Sequence, residues 1–134
     1  MLTIPRWNDS LSVGNPDVDQ QHKRLLTMCQ RFVNLLDDPA RSPAELEEYA
    51  NDVAEFMQHH FATEEALLRK SCCPNLNDHV AEHHALYSAV VLELSNAIAD
   101  IDFDLGKFTT VMTEWLSHHL HKTDMRDKAF LRGY

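Results

Sequence analysis

Five histidines and two carboxylates recur along this chain at intervals that could bring them to one point. They are His22, His60 with Glu64, His79 with His83, and His119 with Asp124. His60/Glu64 and His79/His83 each stand four residues apart, the interval that stacks side chains on one face of a helix. Neutral imidazoles and carboxylates on facing helices are the donors with which a bundle holds a pair of iron or manganese ions. One histidine on an apolar face is usually a satisfied core residue. A whole set of inward polar groups would cost several kcal/mol to bury without strong partners, and metal coordination offsets that cost.

Four amphipathic helices are needed to carry these residues. The first is expected from Pro16 or Asp17 to Leu36, after Asn15 as a cap, with the inward stripe Val18, His22, Leu25, Leu26, Cys29, Phe32, Val33 and Leu36. Ser42-Pro43-Ala44-Glu45 reads as a capping box opening the second, whose stripe is Leu46, Tyr49, Val53, Phe56, Met57, His60, Glu64 and Leu67. That helix should stop near Cys72, because Pro74 disfavours helical geometry in the residue before it. Asn75 or Asn77 can open the third, with Leu76, His79, Val80, His83, Leu86, Tyr87, Val90, Leu94 and Ala97 inward. After a turn over Asp100 to Asp104, the fourth runs to about His121, presenting Leu105, Phe108, Val111, Met112, Trp115, Leu116 and His119. Short connections, no alternating strand pattern and no internal repeat predict an all-α, up-down-up-down antiparallel four-helix bundle. The expected organisation is one domain over 1–134, with an N-terminal arm at 1–15, the bundle at 16–121 and a C-terminal tail at 122–134.

The 134 residues suffice for one buried core, and only three glycines and five prolines interrupt them. A formal charge of −9 argues against nucleic acid and against an anionic membrane surface. No run approaches the roughly 20 apolar residues of a membrane span, and Met1 to Asn8 lacks signal-peptide character, so a cytoplasmic location is expected. Three cysteines make no disulfide framework: Cys72 and Cys73 read as incidental thiols at a helix end, and Cys29 as core.

Helical geometry leaves the last carboxylate open. A five-residue step rotates Asp124 about 140° away from His119 on an ideal helix, and spacing alone would rather pair Glu114 with His118. Only a local distortion, or a helix ending there, would aim Asp124 at the site. His59, His84 and His118 are each turned about 100° from a neighbouring candidate, and His121 lies near the opposite face, which predicts rim or surface positions.

Asp19-Gln20-Gln21-His22, His60-Phe61-Ala62-Thr63-Glu64-Glu65, His79-Val80-Ala81-Glu82-His83 and Trp115-Leu116-Ser117-His118-His119 with Asp124 together resemble the hemerythrins, most closely the single-domain bacterial members, the bacteriohemerythrins. The resemblance spans nearly the whole chain, with Trp7 and Gly14 fitting the N-terminal arm. Leu68 stands where many relatives have methionine. In that family the final carboxylate follows its histidine by five residues, which favours Asp124 over Glu114.

The resemblance implies a non-heme di-iron centre. One iron would take His79, His83 and His119 and the other His22 and His60, bridged by Glu64, Asp124 and one oxo or hydroxo group. The second iron is then one ligand short, which is where dioxygen would bind. The implied function is reversible dioxygen binding for storage, transport or delivery to an oxygen-consuming enzyme, with no catalytic residues. The alternatives are an oxygen or redox sensor acting through a partner, or a di-iron enzyme handling nitric oxide or peroxide or acting as an oxidase. An imidazole-rich set without a Glu-x-x-His step counts against the oxidase, and seven ligands exceed what zinc takes. Phe61, Trp115, Leu116 and Leu120 are expected to keep water from the open position. Nothing in the sequence sets the oligomeric state.

Overall fold

The computed structural model describes residues 4–99 and 104–132, so the expected turn beginning at Asp100 lies almost wholly outside the described residues. Helix α1 spans Pro16–Leu36, α2 Pro43–Lys70, α3 Leu76–Ala99 and α4 Leu105–His118. No strand occurs among the described residues. Each helix packs against the next, and α4 returns to α1, closing a four-helix bundle.

Local chemistry starts these helices where the sequence places them. The Asn15 side chain accepts hydrogen bonds from the Asp17 and Val18 amides, and proline takes the first turn of α1, where its missing N–H costs nothing. Ser42 accepts from the Glu45 amide ahead of Pro43 in α2, and Asp104 accepts from the Lys107 amide ahead of α4. Helix α2 ends in a Schellman turn: the Cys73 amide reaches the Leu68 carbonyl and the Cys72 amide the Arg69 carbonyl, at 2.9 and 3.2 Å. Cys72 therefore sits at φ 56°, a conformation that favours glycine.

The apolar stripe of α1 is buried at every expected position. On α2 the buried face is rotated slightly: Ala50, Phe61 and Leu68 turn inward, while Tyr49, Phe56 and Leu67 move to the flank. The main core joins all four helices around Phe32, Val53, Val90, Phe108 and Met112. A second, smaller cluster of Val13, Val18, Leu68, Cys73 and Leu131 closes the opposite end of the bundle. The N-terminal arm and the C-terminal segment build that closure together, because Asn15 Nδ2 donates to the Leu131 carbonyl and Ser71 Oγ to the Phe130 carbonyl. The polar residues singled out by spacing lie between the two apolar clusters.

Past α4 the chain departs from the expected helix to about His121. Residues His119–Thr123 form one turn of π-helix, followed by two short helices, α5 (Asp124–Arg126) and α6 (Lys128–Leu131).

Candidate metal centre

Each helix delivers part of the site. His22 comes from α1, His60 and Glu64 from α2, His79 and His83 from α3, His119 from the start of the π turn that continues α4, and Asp124 from the residue just after that turn. All seven are buried, and Glu64, His60, His79, His83 and Asp124 have no exposed surface. Their donor atoms fall into two overlapping groups, each within 4.8 Å: Glu64, His79, His83, His119 and Asp124, and His22, His60, Glu64 and Asp124.

The two carboxylates divide their oxygens between these groups. Glu64 Oε1 faces Nε2 of His79, His83 and His119 at 3.4, 2.9 and 3.4 Å, while Oε2 faces Nε2 of His22 and His60, both at 2.9 Å. Asp124 repeats the division: Oδ1 lies 3.2 Å from both His79 and His119, and Oδ2 lies 3.0 Å from His22. Three imidazoles thus gather on one side of a pair of spanning carboxylates and two on the other.

The π turn explains how Asp124 arrives. Its amide donates to the His119 carbonyl five residues back, instead of four, so the turn holds one extra residue. That extra residue brings Asp124 round to the face that His119 occupies, where an α-helical turn would have rotated it away. Glu114 and His118, the pair that ideal spacing favoured, are both exposed. His59, His84 and His121 are exposed as well.

The donor set fits a metal. Among the described residues, His60 Nε2, His119 Nε2 and both Asp124 carboxylate oxygens are buried without a hydrogen-bond partner, although charged neighbours stand close by. They are near one another but not aligned as hydrogen bonds, as expected where they point at a shared cation. Protonation tells the same story. Burial works against a charged His22 and His79, yet Asp124 and Glu64 beside them overcome it, raising the two to about 9 and about 10. The same opposition leaves His119 well above its ordinary value. Burial also opposes charge on Glu64, but His60, His119 and His22 hold it well below the carboxylate range; Asp124 is likewise lowered against burial and the Glu64 charge. His60, unlike His22, His79 and His119, is lowered, because burial outweighs Glu64.

A further layer orients the rings. His60 Nδ1 meets Gln21 Oε1 at 2.8 Å, His83 Nδ1 meets Glu65 Oε2 at 2.8 Å, and His79 Nδ1 meets Asp127 Oδ2 at 2.7 Å. Such bonds fix which ring nitrogen faces inward and how the ring is turned. Asp127 is fully buried and also receives Asn75 Nδ2 at 2.9 Å and Arg126 Nη2 at 2.8 Å, so Asn75 serves the site at the start of α3. Glu82 accepts a short hydrogen bond from the Thr123 hydroxyl and lies 3.5 Å from His119 Nδ1, touching both the first and last residues of the π turn. Sequence reasoning gave none of these residues an orienting role. Gln21, Glu65 and Glu82 each adjoin a candidate ligand in the chain; Asp127 carries no such signal, since no helical interval links it to His79.

Of the residues expected to exclude water, Phe61 stacks on the His83 ring at 4.0 Å and meets His119 edge-on at 5.8 Å. Leu116 and Leu120 are buried in the main apolar cluster, and Trp115 packs half-buried on its margin.

The family model described as the hemerythrin HHE cation binding domain matches residues 13–131. A hemerythrin-like protein of Naegleria gruberi is 28% identical over 132 residues, covering 96% of this chain and 98% of the relative. Bacteriohemerythrins of Stenotrophomonas maltophilia and Pseudomonas paraeruginosa are 25% and 28% identical, each match covering 88% of this chain and 75% of the relative. No solved structure gives a significant match. With the family model spanning all four helices and every one of the seven clustered residues, the chain belongs to the hemerythrin family.

Proposed function

We propose that this chain binds dioxygen reversibly at a non-heme di-iron centre, with His79, His83 and His119 on one iron, His22 and His60 on the other, and Glu64 and Asp124 spanning both. The observation that carries the reading is the division of carboxylate oxygens between three imidazoles on one side and two on the other. A pair of ions held in this way would be unequal, with one coordination position to spare on the two-histidine side. Two ferrous ions, when bound, supply the two electrons that dioxygen takes up and returns.

The protein's own residues do the rest. Gln21, Glu65 and Asp127 hold three imidazoles in register through their outer nitrogens. Phe61 and the surrounding apolar core keep bulk water away, which should slow irreversible oxidation of the iron. An imidazole-rich donor set supplies fewer negative charges than the carboxylate-rich sites of di-iron oxidases, and this favours a carrier over an enzyme.

Anaerobic reduction of the iron-loaded chain, followed by cycles of oxygen admission and removal, tests the proposal. A visible charge-transfer band that appears and disappears with oxygen is the expected result. Irreversible conversion to ferric protein on first exposure would refute the carrier reading. Loading at pH 7 should also release protons, because His22 and His79 must become neutral to bind metal. Apparent metal affinity should therefore rise with pH up to about 9–10.

A further inference from the structure

Although the chain carries a formal charge of −9, the segment from Gln20 to Leu36 contains no aspartate or glutamate, while Lys23, Arg24 and Arg31 lie exposed along it. The N-terminal arm runs beside this face. Its Ile4 amide donates to Gln30 Oε1 at 2.7 Å, and the Gln30 amide in turn donates to Asn34 at 3.0 Å. Arm and helix enclose a groove of about 560 Å³, within the size range of small-molecule sites.

Three cationic residues, Arg6, Lys23 and Arg31, line the groove, and no carboxylate does among the described residues, although Lys23 and Arg31 also border the adjoining groove that holds Glu45, Glu48 and Asp52. Among the described residues their charged ends have no ionic partner; only the Lys23 ammonium is engaged, 5.2 Å above the Trp7 ring. Three like charges around one concavity raise the local concentration of anions and are relieved by binding one. The remaining lining sets the flat and apolar surface of Trp7, Ile4 and Leu26 beside the polar side chains of Thr27, Gln30 and Asn34. The Trp7 indole Nε1 is buried with no hydrogen-bond partner among the described residues.

We propose that this groove is a binding site for a small organic anion, a carboxylate or phosphate borne on a flat apolar body, separate from the metal centre. The cations hold the charged group, and the indole and aliphatic wall take the apolar part. The site is independent of the iron chemistry: Lys23 follows His22 in the chain but points out of the bundle, where His22 points in.

The test is calorimetric titration of the iron-loaded chain with 2-naphthoate, its uncharged analogue 2-naphthylmethanol, and poly-glutamate. One saturable site for naphthoate is expected, with a Kd below about 1 mM. Its affinity should weaken as salt rises and fall at least about tenfold in the Arg6→Glu/Arg31→Glu double variant, with iron content and helicity unchanged. The proposal is overturned if naphthoate shows no saturation, if naphthylmethanol binds as tightly, or if the double variant binds naphthoate as well as the parent. Binding of poly-glutamate alone would also overturn it, assigning the surface to an acidic protein instead.

Discussion

The same four helices build two interiors of opposite kinds. In one, Phe32 and Phe108 meet at 5.7 Å within a continuous apolar core. In the other, between that core and the smaller Leu131 cluster, five imidazoles and two carboxylates share a space with almost no exposed surface, several of their atoms lacking a partner among the described residues. The first interior stabilises the fold with or without metal, because burial of apolar surface needs no bound ion. The second is costly to form alone, and a bound cation would offset that cost. A bundle can host such a site because its apolar half, and the small cluster around Leu131, hold the helices in place beforehand.

This contrast can be broken by substitution. Phe108→Ala should cost about 3–5 kcal/mol through the cavity it leaves. Urea denaturation should find the same loss in iron-loaded and metal-free protein; a loss confined to one state would mean that the two interiors are not independent. Asp127→Asn should act on the polar end instead, reducing metal affinity about 10–100-fold by loosening His79. Chelator competition measures this, and an unchanged affinity would show that the His79 ring is held by packing alone.

Thr123→Val removes the hydroxyl that Glu82 accepts and keeps the side-chain shape. About 1 kcal/mol should be lost, with faster hydrogen exchange at the Asp124 amide as the π turn loosens. If that amide exchanges as before, the turn is held by the backbone and not by the Glu82 contact. The smallest effect is a gain: Cys72→Gly relieves the positive φ at the end of α2 and should add about 0.5–1 kcal/mol to stability whether or not iron is bound. A thermal melt that moves down would place the Cys72 side chain in a contact that outweighs its backbone strain.

Helix boundaries were legible because caps and prolines are local: Asn15-Pro16, Ser42-Pro43 and Asp104 act within one turn of chain. The α1 stripe was legible for the same reason. On α2 the reading slipped by a fraction of a turn, taking Tyr49 and Leu67 for inward residues where Ala50 and Leu68 are buried. Periodicity names a face but not its centre, and the centre is set by where the neighbouring helices press. Six of the seven clustered residues follow from helical intervals. Asp124 does not, since its place depends on a π turn that no residue interval announces.

The sequence by itself therefore determined the helices, their inward faces and the chemistry those faces carry, because cap bonds and side-chain periodicity act over a few residues. Only the tertiary structure decided which oxygen of Glu64 meets which histidine, that Asp127 reaches back to His79, and that Glu82 touches both ends of the turn bearing His119 and Asp124. These contacts join residues up to 55 positions apart. Their geometry is set by how helices pack, a property of the whole bundle that no local interval contains.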